Sequence, residues 1–177
     1  MESVLENIKS TQDSFYSQTN KNIFMKDQQK IKCAEIVLAT YPINELILKT
    51  IYIKDNSNQI FVSYPLYKTY ALPSNYQLVV DRVIQLILSI TQKYPTFEIH
   101  IDLGSFTVSA FQRNLSLFQL YYDTCCTIGL HYDKNIIDRI VIYNTPSVIQ
   151  SLSSLIVKFT DKSIKEKITL LYKQKNT

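Results

Sequence analysis

The side chains able to do chemistry here are few, and their spacing decides what they can do. Asp102 stands two residues before Gly104 in IDLGSF, and Asn144 stands two before Pro146 in YNTP. Each reads as the end of an apolar strand, where carboxylates and amides commonly hold the following turn. Asp102 is expected to accept backbone N–H bonds there, and Asn144 to satisfy strand-end backbone. His100 and Glu98 fall on the face alternate to Phe97, Ile99 and Ile101, and a satisfied structural histidine is expected. His131 opens HYD, where a local structural role is again expected. A cysteine nucleophile needs a paired base and an electropositive site. Cys125 and Cys126 have His131 near in sequence but no third group, so buried packing is expected. With Cys33 they make an odd set lacking disulfide or zinc spacing, which points to a reducing compartment and no bound metal. No cofactor and no enzymatic activity are expected. A ligand at an α/β sheet would meet the strand carboxyl ends, where Asp102 and Asn144 lie.

Composition narrows the classes further. A chain of 177 residues, 46% hydrophobic and 19% charged, fits one globular domain. Its 2 glycines exclude a glycine-rich phosphate cradle. A net charge of +4 is mild, and no nucleic-acid partner is expected. Lys158, Lys162, Lys165, Lys167, Lys173 and Lys175 crowd one end of the chain. They read as a solvated face or as peripheral contact with an anionic membrane. The first residues lack an apolar leader, and no stretch suits a transmembrane helix. The expected location is cytoplasmic, in part at a membrane surface. The Ile, Asn, Lys and Tyr usage matches AT-rich codons, as in a protist or a large DNA virus, where host cytoplasm or virion would follow.

These residues need elements to position them. Residues 1–45 read as a helical segment packed on the remainder, with a weak stripe of Val4, Leu5 and Ile8. A helix from Asp27 to Thr40 should bury Ile31, Ala34, Ile36, Val37 and Leu38, and stop before Tyr41-Pro42. From Leu46 the period shifts, and LILKTIYIKD and IFVSY around NSNQ read as a β-hairpin. A buried helix is expected from Gln77 to about Tyr94. Strands are expected at Phe97–Leu103, Arg139–Tyr143 and Ile168–Tyr172. Between them lie a helix from Val108 to Ile128, closed by Gly129, and one capped by Thr145-Pro146 with Val148, Leu152, Leu155, Ile156 and Phe159 inward. Alternation of this kind implies a parallel βαβαβ unit over residues 97–172 with right-handed crossovers, and the hairpin extends one edge of the sheet.

IDLGSF, a helix, HYDKNIIDRIVIYNTP, a second helix and KFTDKSIKEKITLL occur in an order that resembles the CRAL-TRIO lipid-binding domain family. The resemblance implies a CRAL-TRIO-like α/β domain over residues 46–177, with a mostly parallel sheet and helices enclosing an apolar pocket. Phe97, Ile99, Ile101, Phe111, Phe118 and Tyr122 would line it. An ungapped match puts Asn135 where phosphoinositide-binding members carry a glutamate, and Lys167 at their lysine. Asp133 reaches that position only if the turn slips. Phe97 and Ile99 stand where choline-binding members carry hydroxyls. The family's helical front domain and gating helix have no counterpart in the 177 residues, so the pocket mouth is expected to be closed by homodimerisation, by the first helices or by bulky side chains.

Two functions follow. The first is non-catalytic binding, or transfer, of a lipid or other hydrophobic ligand, driven by apolar burial at roughly 25 cal/mol per Å². The alternative is a protein-interaction or structural module, viral in origin if the codon pattern holds, that keeps the fold without the pocket.

Overall fold

The computed structural model describes residues 2–19, 25–129, 136–146 and 162–172. Two helices open it, α1 (Glu2–Gln18) and α2 (Lys26–Thr40). Ile8 anchors α1, with Val4 and Leu5 half-buried beside it, and Cys33, Ala34 and Val37 anchor α2. Ile31 and Ile36, expected inside, are 45% and 38% exposed. Once Ala34 and Val37 face inward, Ile36 lies about 100° around the helix from its neighbour Val37.

A third helix, α3 (Ile43–Thr50), corrects the expected strand from Leu46. Leu46, Ile47 and Thr50 form one buried helical face. The Thr50 hydroxyl donates to the Leu46 carbonyl at 2.7 Å. This helix also runs across the boundary expected between residues 45 and 46.

The hairpin is shorter than expected: β1 (Ile51–Ile53) pairs antiparallel with β2 (Gln59–Ser63). Asp55 and Asn56 turn it with φ of 47° and 55°, a left-handed conformation that short polar side chains tolerate. Then follow α4 (Tyr64–Tyr67), α5 (Tyr76–Thr91), β3 (Phe97–Asp102), α6 (Val108–Arg113), α7 (Leu115–Thr127), β4 (Ile137–Thr145), α8 (Lys162–Lys165) and β5 (Ile168–Tyr172). The Ser63 hydroxyl caps α4, and the Thr107 hydroxyl caps α6 by accepting the Ala110 N–H. The expected helix from Val108 to Ile128 is two helices, broken at the buried Asn114. Gly129 ends the second with a φ of 66°, as a left-handed cap requires. Thr145 closes β4, its hydroxyl donating to the Ile142 carbonyl at 2.8 Å. The helix expected beyond it, Val148 to Phe159, lies outside the described residues.

The five strands run in the order β1-β2-β3-β4-β5. Pairs β2–β3, β3–β4 and β4–β5 are parallel, with the hairpin at one edge. Register sorts the sheet into two unlike faces. Ile51, Ile53, Ile60, Val62, Phe97, Ile99, Ile101, Ile140, Ile142, Ile168 and Leu170 align across one. This apolar face meets Val79, Leu86, Ile87 and Ile90 of α5 in the main core. Among the described residues, no helix is long and apolar enough to cross a membrane.

Candidate functional site

On the apolar face, burial falls along β3. Phe97 is 0% exposed, whereas Ile99, Ile101 and Leu103 are half-buried. Val62 on β2 and Leu170 on β5 are half-buried on the same face. Phe111 of α6 is buried, and its ring lies 5.6 Å from that of Phe118 on α7. The fold therefore gathers Phe97, Ile99, Phe111 and Phe118 in and against one core, with Ile101 on the same sheet face. Tyr122 is instead 47% exposed, because it lies on the outer side of α7. Lys167 is committed to the fold: its ammonium donates to the Ile137 carbonyl, and its own carbonyl accepts the Ile140 N–H at 2.9 Å. Asn135 lies outside the described residues, as do His131, Asp133, Lys158, Lys173 and Lys175.

Beside this surface the helical layer is rich in tyrosine. Tyr67 O–H donates to Asn114 Oδ1 at 3.0 Å, and Tyr76 O–H to the Arg113 carbonyl at 3.2 Å. Tyr70 O–H donates to Thr50 Oγ1 at 2.8 Å. Burial pushes the phenol pKa of Tyr64, Tyr67, Tyr70 and Tyr76 upward. Tyr67, Tyr70 and Tyr76 are neutral donors with assigned partners, which is what buried polar groups require.

The opposite sheet face carries an aromatic row across four strands. Tyr52 stacks on Phe61 at 5.6 Å, Phe61 on His100 at 4.6 Å, and His100 on Tyr143 at 5.8 Å between centroids. His100 is 7% exposed and both ring nitrogens are engaged, Nε2 with Glu98 at 2.9 Å and Nδ1 with the Tyr143 hydroxyl at 2.8 Å. Glu98 also accepts from Gln59 and Arg139. His100 is the satisfied structural histidine expected, since no ring nitrogen is left for a substrate proton.

At the strand carboxyl ends, Asp102 Oδ1 accepts the Gly104 N–H at 2.8 Å, as expected. Asn144 departs from expectation: its amide donates to Asp102 Oδ1 at 2.8 Å rather than to strand-end backbone. Its φ of 51° turns it toward the neighbouring strand. Ser105, with a φ of 64°, accepts from the Lys68 ammonium. Lys68 and Ser105 were not expected at a common site, since they are far apart in sequence.

Cys33 and Cys125 are buried, but Cys126 is exposed, which corrects the expectation that both adjacent thiols pack inside. Neighbouring helical residues point about 100° apart, and here Cys125 takes the inward direction. Burial pushes the Cys125 thiol up to about 11, the reverse of an activated nucleophile. Among the described residues, no cluster of three His, Cys, Asp or Glu could hold a metal ion. A shallow groove of about 400 Å³ between α1 and α2 is lined by Ser10, Thr11, Ser14, Phe15, Gln18 and Ile36.

No protein-family model matches the sequence, and no curated protein matches it. Among solved structures, the chain is similar to the crystal structure of Sfh5, with a TM-score of 0.56 at 15% identity. The match covers 84% of this chain and 56% of that one, so the chain spans about half the length of the protein it matches. The five-stranded mixed sheet with flanking helices is consistent with a CRAL-TRIO-like fold.

Proposed function

We propose that the chain binds a lipid or another hydrophobic molecule on the apolar face of its sheet, without making or breaking a bond. The observation that carries this reading is the graded burial of β3, where an unbroken apolar face is sealed at Phe97 and half-buried at Ile99 and Ile101. The fold likeness supports it, because a CRAL-TRIO-like sheet is expected to floor an apolar pocket. Chemistry at this face would be limited to area removed from water and to shape. Catalysis is not part of the reading: His100 is fully engaged and the Cys125 thiol is pushed toward its neutral form.

A second reading, a protein-interaction module, is favoured by the exposed apolar residues Leu115, Tyr122 and Ile128 at α7. One experiment separates the two. Protein purified without detergent is extracted with organic solvent, and the extract is analysed by mass spectrometry beside an Ile101→Arg variant. The lipid reading expects a stoichiometric apolar molecule in the unaltered protein and its loss in the variant. Bare protein that also takes up no lipid from neutral vesicles would overturn it in favour of the interaction module.

A further inference from the structure

We infer that the outer edge of β5 takes an extended peptide segment of a partner protein, with acidic residues at its ends, as an added strand of the sheet. The two edges of the sheet are built differently. At the β1 edge, the Lys54 N–H donates to the Gln59 carbonyl at 3.3 Å. Bonded and non-bonded pairs alternate in an antiparallel ladder, so the Ile51 carbonyl faces outward. It is answered there by Arg82 of α5, whose Nε donates to it at 3.2 Å. At the other edge, the Ile140 N–H donates to the Lys167 carbonyl at 2.9 Å, which turns that carbonyl toward β4. Successive residues of a strand face opposite ways. The N–H and C=O of Ile168 and Leu170 therefore point away from β4. Among the described residues, no strand lies beyond them. Thr169 is exposed, as are Leu171 at 44% and Tyr172 at 48%. The run from Ile168 to Tyr172 has strong strand formers and neither the proline nor the charge within the strand that blunts an edge. Outward backbone groups beside exposed apolar side chains are what an added strand satisfies.

Charge decides what that strand is. Lys165 is exposed just before β5 and Lys167 is half-buried, while Lys173 and Lys175 follow β5 in the sequence; Glu166 is the one acid among them. A second copy that matched Ile168–Tyr172 to itself antiparallel would set Lys167 opposite Lys173 and Lys165 opposite Lys175. Like charges directly opposite destabilise a strand pair, and unlike charges stabilise it. The edge thus repels its own copy and favours a strand with Asp or Glu at its ends. This inference does not rest on the lipid reading, which concerns the face of the sheet rather than its edge.

The test is fluorescence anisotropy of labelled synthetic peptides titrated with the full chain. One carries Val-Thr-Val-Thr-Val between Glu-Asp ends, a second carries the same core between Lys-Lys ends, and a third is the acidic peptide N-methylated throughout its core. The acidic peptide is expected to bind. Lysine ends or N-methylation should each weaken it by about tenfold or more. Lys165→Glu should weaken the acidic peptide about fivefold. Lys93→Glu, on the exposed turn after α5, changes the net charge equally and should leave affinity as it was. Leu170→Pro removes an outward N–H at a sheet edge, where proline is tolerated, and should abolish binding with circular dichroism intact. If that variant unfolds, the N-methylated peptide puts the same question to the unaltered chain. No binding of the acidic peptide, or equal affinity for it and either control peptide, overturns the inference. A dimer in sedimentation equilibrium that Leu170→Pro dissolves would assign the edge to a second copy and overturn it too.

Discussion

Tyr67 and Asn114, 47 residues apart, meet in the core, where the tyrosine hydroxyl donates to Asn114 Oδ1 at 3.0 Å. The Asn114 amide also donates to the Ala110 carbonyl at 2.7 Å, one turn back. Tyr76 O–H approaches the same Oδ1 at 3.4 Å. The break between α6 and α7 is thus the place where one buried side chain answers a neighbouring helix layer and its own backbone at once. A buried polar group that loses its partner costs about 1–3 kcal/mol, whereas removing both partners costs much less. Asn114→Leu is therefore expected to lose about 2–3 kcal/mol in urea unfolding, and Tyr67→Phe about 1 kcal/mol. Adding Tyr67→Phe to Asn114→Leu should recover part of the loss. A double variant weaker than Asn114→Leu by the full cost of Tyr67→Phe would show that the two do not act as a pair.

A second expectation concerns alkaline pH. Burial raises the phenols of Tyr64, Tyr67, Tyr70 and Tyr76 above their ordinary value of 10.0. Burial, with Cys33 beside it, raises Tyr16 to about 12. The unfolded chain ionises first, so the stability tied to the neutral phenols is fully present below pH 10 and is lost as pH rises above it. Phenolate absorbance should then rise in two stages, an early one for exposed tyrosines and a later, steeper one coincident with loss of helical circular dichroism. A single gradual titration with the fold intact would contradict this.

How much of this was legible in sequence depends on the range of the interactions that decide each element. Ile168–Tyr172 was legible to its end residues because the strand–helix alternation before it supplies a parallel neighbour, which it finds in β4. Leu46–Thr50 was misread because a short apolar run suits either period, and the choice was made by packing against the core. The break at Asn114 left only a weak local signal, the preference of asparagine for caps and turns, and its role here is set by Tyr67 and Tyr76. Strand alternation placed Phe97, Ile99 and Ile101 on one face, and the register puts them there.

The third prediction tests His100 as a structural group. Its ring fills the row between Phe61 and Tyr143, and its nitrogens hold Glu98 and the Tyr143 hydroxyl. His100→Leu keeps much of the volume but leaves the Tyr143 hydroxyl without this partner and removes one donor from a carboxylate that is only 14% exposed. The expected cost is about 1–3 kcal/mol, read as a lowered melting temperature. Lipid uptake should be unchanged in the folded variant. A variant as stable as the parent would show that the histidine contributes nothing to the sheet.

The last prediction separates backbone strain from packing at the two glycines. Gly129 has a φ of 66°, and a Cβ built there would meet nothing within 4 Å. Gly129→Ala can therefore lose stability only through the left-handed conformation, at about 1 kcal/mol, and Gly129→Asn should lose less because asparagine tolerates that region. Gly104 is the opposite case: a Cβ there would lie 3.1 Å from Pro65 Cγ and 3.3 Å from Asp102 Oδ1. The carboxylate it crowds is the one that binds the Gly104 N–H and the Asn144 amide. Gly104→Ala should thus disturb the turn after β3 and the Asn144 bond it holds, and lose more stability than Gly129→Ala. A Gly104→Ala melting temperature equal to that of the parent would show that the turn after β3 absorbs the added carbon.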